Sequence, residues 1–104
     1  MEEQNNDKIY GYVYTLFDID YPEKYLYIGS TNNIKRRIIK HKTLLKNNIH
    51  CNKRLQEYFN KVDIEKFNYK ILEEDYFENK IKLFNRENQY IMLYRHLIFN
   101  DCFS

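Results

Sequence analysis

The chain has 104 residues, 43% hydrophobic and 31% charged, which fits one globular domain with a single modest core and leaves no room for a second. No apolar run approaches the roughly 20 residues that span a bilayer, so an integral membrane protein is excluded. The net charge of +2 is too small to make a nucleic-acid binder by average charge, so the distribution of charge has to decide.

The start, MEEQNNDK, is polar and acidic and unlike a signal peptide, which points to an intracellular protein, cytoplasmic or nuclear. Residues 1–7 are expected to be disordered, and residues 8–104 to form the domain. Residues 8–17, KIYGYVYTLF, are dense in aromatic and β-branched types and predict a strand. Alternation puts Tyr10, Tyr12, Tyr14 and Leu16 on one face and Ile9, Val13 and Phe17 on the other. The segment 18–24 carries the only Pro and reads as a loop. Residues 25–29, YLYIG, predict a second strand, antiparallel to the first because the connection is short.

Ser30 to Asn33 is suited to capping a helix. Over residues 34–46, Ile34, Ile38, Leu44 and Leu45 share a helical arc. A loop follows at 47–52. A short helix is predicted at 53–60, with Leu55, Tyr58 and Phe59 inward. Residues 66–74 alternate Phe67, Tyr69 and Ile71 and predict a third strand. A long helix from about 78 to 94 carries Ile81, Phe84, Ile91 and Tyr94, and the semi-apolar tail is expected to fold back on the core. The order is β-β-α-α-β-α, an α/β (α+β) chain with helices over one sheet face and less cover on the other. Cys51 and Cys102 are isolated, with no zinc-type spacing, and read as two thiols.

The charges are not evenly spread. Lys35, Arg36, Arg37, Lys40, His41, Lys42 and Lys46 lie on or beside the first helix, and no acid interrupts residues 32–56. That is the shape of a phosphate-binding face, or of a solvated helix. Arg37 and His41 are one turn apart, His41 inside the apolar arc and Arg37 at its edge, so both should point toward the sheet. An Arg held there can donate two planar hydrogen bonds to a phosphate; an Arg and His snorkelling at a core edge is the simpler alternative. Glu87 falls within about 60° of Leu83, Phe84, Tyr90, Ile91 and Tyr94 on a helical wheel. A carboxylate in an apolar arc is costly unless paired, for instance with Arg37, or bound to a cation such as magnesium. Tyr14 and Tyr27 lie on neighbouring strands near Gly29, which permits close backbone approach. Most of the eleven tyrosines are ordinary sheet aromatics, and the abundance of Tyr, Asn, Lys and Ile also suits an A/T-rich genome.

These residues resemble a known family. Tyr12-Val13-Tyr14 and Tyr27-Ile28-Gly29 are similar to the two signatures of the GIY-YIG nuclease superfamily. The second is intact. In the first, Tyr12 stands for the usual Gly, with Gly11 just before it. Arg37 and His41 follow at the spacing of the family's R-x-x-x-H helix motif. Glu87, in RENQYI, resembles its metal-binding glutamate segment, and His50 resembles the additional histidine of the phage homing-endonuclease branch. Asn100 resembles the asparagine that closes the domain.

The resemblance spans roughly residues 10–100. It implies a three-stranded antiparallel sheet flanked by helices, and hydrolysis of DNA phosphodiesters with one Mg²⁺ (or Mn²⁺) per site. Glu87 would hold the metal, and Arg37 would stabilise transition-state charge. Tyr14 would be the general base with help from His41, Tyr27 or the metal; Tyr27 would position water or phosphate; His50 would assist proton transfer or contact DNA. Gly29, Lys35, Arg36, Lys40 and Asn100 are expected to contact the substrate.

The expected function is therefore a metal-dependent DNA endonuclease with one active centre per chain. One centre cuts one strand, so double-strand cleavage would need a homodimer or sequential nicking, and specificity would come from DNA structure or a partner protein. The competing readings are a non-catalytic nucleic-acid binding module that keeps the fold and a protein-interaction domain using the aromatic surface.

Overall fold

A computed structural model of the chain describes residues 8–95 together with Ile98. The expectations for the polar start at 1–7, for Asn100 and for Cys102 lie outside the described residues. The elements are β1 (Ile9–Asp18), β2 (Tyr27–Thr31), α1 (Ile34–Lys46), α2 (Lys53–Lys61), a single 3-10 turn at Ile64–Lys66, β3 (Phe67–Phe77) and α3 (Lys80–Tyr94). This is the expected β-β-α-α-β-α order. The strands form one antiparallel sheet in the order β2-β1-β3.

Helix cover departs from expectation. Both sheet faces are packed. On one, Tyr14, Leu16, Tyr27 and Phe67 meet Ile38 and Leu45 of α1 and Leu55 and Phe59 of α2. On the other, Val13, Ile28 and Phe77 meet Leu83, with Tyr90, Ile91 and Tyr94 of α3 and Ile98 beside them. The alternation in β1 therefore feeds two cores, each side chain contributing of the order of 2 kcal/mol on full burial. Ile81 and Phe84, expected on the inner side of the last helix, are 69% and 40% exposed, because Leu83 and Glu87 take the buried stripe.

β3 is longer than expected and changes phase midway. Val13 pairs with Glu73 but Tyr14 with Ile71, so Leu72 is the extra residue of a β-bulge. Before the bulge, Phe67 and Tyr69 face α1 and α2. After it, Leu72 and Phe77 pack toward α3. β2 begins and ends two residues later than expected: Gly29 does not close the strand but pairs with Tyr14, and pairing continues to Thr31 opposite Tyr12.

Helix ends are set by asparagines. The Asn33, Asn52 and Asn79 side chains cap α1, α2 and α3 by accepting from the N–H of Arg36, Leu55 and Lys82, each cap contributing about 1 kcal/mol. After α1, Asn48 takes a left-handed φ of 61°, a conformation Asn tolerates better than most residues, and the chain turns back toward His50.

Candidate active site

The buried end of the site lies under α1. Tyr14 Oη is 2.7 Å from His41 Nε2, and His41 Nδ1 is 2.8 Å from His50 Nε2. The two imidazoles stack with centroids 5.1 Å apart, and Tyr27 meets both rings edge-on. Gly29 creates the space for this: a Cβ there would sit 2.5 Å from the Tyr14 hydroxyl and 2.7 Å from its Cζ. Gly11 has a comparable role on the other face, where a Cβ would come within 2.8 Å of the Leu83 methyls and 3.1 Å of Phe77. Tyr12 is half-buried, and its ring packs edge-on against Tyr10 at 5.4 Å, so it is turned toward the sheet end.

His50 is held by a buried polar network. Its backbone N–H donates to Gln56 Oε1 at 2.9 Å, and the Asn52 N–H donates to its Nδ1 at 3.0 Å. Gln56 in turn donates to the Leu45 carbonyl and to Asn60, which donates to Asn48. The loop from α1 to α2 is thus fixed from both helices.

Burial sets the protonation states. It pushes His41 down to about 3, assisted by His50, Arg37 and Lys40. Burial also lowers His50. Both rings are therefore neutral at ordinary pH. Tyr14 is raised above the usual phenol value, chiefly by burial and then by Tyr27 and Glu87, while Arg37 pulls the other way.

Glu87 lies on the other side of β2. Ser30 and Ile28 point toward α3 by alternation, and the Ser30 hydroxyl donates to Glu87 Oε1. Glu87 is 2% exposed, yet it lines a surface cavity with Ser30, Thr31, Asn32, Arg37 and Lys80. The expected alternative, a Glu87–Arg37 salt bridge, is not among the ion pairs of the described residues.

Arg37 joins the two sides. It lines the Glu87 cavity, a second cavity with Thr31, Asn33, Arg36 and Lys40, and a third with Tyr27, His41 and His50. Arg36 and Lys40 thus join the Arg37 cavities, whereas Lys35 is exposed and lines none of these three. Tyr14, Tyr27, Arg37, His41 and His50 come together, with Glu87 reached around the β2 edge. Sequence reasoning missed Ser30, Asn52, Gln56 and Lys80. Ser30 was legible as the residue after Gly29, which alternation sends to the opposite face; the Asn52–Gln56 network depends on the loop path.

The donor set suits a hard cation sparingly. No group of three or more His, Cys, Asp or Glu side chains among the described residues could hold a metal. One buried carboxylate at the wall of an open cavity fits an ion that keeps water and takes phosphate oxygens, as magnesium does.

The fold defines the class, a small α+β domain built on a three-stranded antiparallel sheet, with the candidate residues gathered at its β2 edge. The model of the GIY-YIG catalytic domain matches residues 10–100, and the chain belongs to that nuclease family. Among solved structures it is similar to the catalytic domain of the intron endonuclease I-TevI, determined as a glutamate-to-alanine mutant. The TM-score is 0.74 at 23% identity, covering 92% of this chain and 97% of that one. No curated protein matches.

Proposed function

We propose that this domain is a metal-dependent DNA endonuclease with one active centre per chain. The observation that carries the reading is the position of Arg37 at the junction of three cavities, with the Tyr14–His41 pair on one side of β2 and Glu87 on the other. A phosphodiester seated against Arg37 would meet a charge-complementary wall of Arg36, Arg37 and Lys40.

Arg37 presents a planar donor set to the non-bridging oxygens and offsets the charge that grows on them. Tyr14, once it has lost its own proton to solvent water, takes a proton from the attacking water; Arg37 is the neighbouring cation that favours its phenolate against the burial that opposes it. Tyr27 packs edge-on against the two histidine rings and lines the cavity they share with Arg37. Glu87, oriented by Ser30, would hold the Mg²⁺ or Mn²⁺, which when bound supplies charge neutralisation at the phosphate and the leaving oxygen.

The test separates binding from cleavage. Glu87→Gln keeps an acceptor for Ser30 and removes the charge. DNA affinity, read by anisotropy, should stay within a few-fold while nicking is lost. Unchanged nicking in Glu87→Gln would leave a binding module, or a site elsewhere, as the better reading.

A further inference from the structure

The hydrogen bonds around the two histidines fix where each imidazole carries its proton. The Asn52 backbone N–H can only donate, so His50 Nδ1, 3.0 Å away, carries no proton. A neutral His50 then bears its proton on Nε2 and donates it to His41 Nδ1, 2.8 Å away. That leaves His41 Nδ1 as an acceptor, so its proton sits on Nε2 and is donated to Tyr14 Oη at 2.7 Å. The reverse chain fails. If Tyr14 donated to His41, then His41 Nδ1–H would donate to His50 Nε2, and the proton of His50 would lie on Nδ1, facing the Asn52 N–H. An imidazolium at either position also puts two donors face to face at one of these contacts.

We infer that the Asn52 amide and His50 are positioning groups that hold His41 as a permanent donor to the Tyr14 oxygen, and that neither histidine accepts a proton from the attacking water. This rests on the nuclease reading for its consequence, not for its geometry. The consequence is that the histidines are not the base: the Tyr14 oxygen receives one fixed N–H from His41, which offsets part of the burial that holds the phenol protonated, and the phenol's own proton can leave only to water, away from His41. The other charged and titratable groups acting on Tyr14 are Tyr27 from β2 and Arg37 from α1, with Glu87 of α3 acting from across the sheet. Asn52 is fully buried and caps α2, and Gln56 ties the His50 backbone, so the donor is rigidly placed. His50 thereby acquires a role other than proton transfer or DNA contact.

The direct test is long-range proton–nitrogen NMR of the full chain labelled at histidine nitrogens, with each ring assigned through His→Gln variants. Both His41 and His50 should show the Nε2–H form, unchanged from pH 8 to pH 5.5. An Nδ1–H signal on either ring, or an imidazolium at His41 in that range, would overturn the inference. In His50→Leu, His41 Nδ1 loses its donor, and His41 should begin to titrate above pH 5; titration identical to wild type would also overturn it. His50→Gln, whose amide can still donate, should retain at least tenfold more nicking than His50→Leu at equal folded fraction, and equal losses would count against a positioning role. Tautomers as stated in a protein that cuts no DNA would refute the nuclease reading and leave the proton arrangement standing.

Discussion

Replacing Gly29 with Ala places a methyl 2.5 Å from the Tyr14 hydroxyl and 2.7 Å from Cζ, well inside contact distance. Strand β2 is hydrogen-bonded to β1 with Gly29 opposite Tyr14, so the backbone cannot retreat without breaking the ladder. Tyr14 is fully buried. The phenol must therefore shift away from His41. Overpacking costs about 1–3 kcal/mol, and breaking the buried Tyr14–His41 hydrogen bond about another 1–3 kcal/mol. Loss of glycine's unfolded-state freedom returns about 0.4–1 kcal/mol. The net is a destabilisation of roughly 2–4 kcal/mol, a fall in Tm on the order of 10–20 °C for a domain of this size. Nicking measured well below that Tm should fall by about 10²-fold, because a displacement near 1 Å of a reacting group costs that much. Thermal unfolding by circular dichroism and nicking at a temperature where the variant is folded check the two effects separately. Wild-type Tm together with wild-type nicking would refute the reasoning that Gly29 exists to admit the Tyr14 phenol.

Other outcomes follow from the same geometry. Arg37→Lys keeps the charge but loses the planar fork, so folding should be unchanged while nicking drops by roughly 10²-fold; a drop below threefold would remove Arg37 from the chemistry. Ser30→Ala should destabilise the domain by about 1–2 kcal/mol, since the buried Glu87 carboxylate loses a donor, and its metal requirement for nicking should shift to higher concentration; an unchanged metal titration would sink the positioning role of Ser30. Acid should unfold the protein early. His41 is held near 3 in the fold against 6.5 when unfolded, so its contribution is complete above pH 6.5 and is lost as pH falls toward 3. His50 acts in the same direction. At pH 5 the His41 share alone amounts to about 2 kcal/mol, visible as a lower urea midpoint than at pH 7.5, and a midpoint independent of pH across that range would contradict neutral buried histidines.

Much of the fold was legible because its signals are local. The aromatic alternation of β1, the apolar arc of α1 and the glycine of the second signature each survive in the structure with small boundary changes. The candidate residues on α1 were legible for the same reason: a one-turn spacing puts Arg37 and His41 on the sheet side of the helix. What escaped was non-local. The bulge at Leu72 turns β3 over and gives the second sheet face its own core, and no pattern within residues 66–74 announces it. The exposure of Phe84 follows from the same geometry, since the arc that buries Glu87 is set by where α3 crosses β1 and β2. Ser30 read only as part of a capping segment and Asn52 only as part of a loop, and nothing singled out Gln56. Only the fold shows that one holds the carboxylate and the others orient a histidine.

The most direct test of the central claim is nicking of supercoiled plasmid by the purified chain with Mg²⁺ and with Mn²⁺, beside a chelator control and the Glu87→Ala variant. The site described here predicts open-circular product that requires the added metal and disappears in the variant. Intact plasmid with every divalent metal, in a folded protein that still binds DNA, would contradict it.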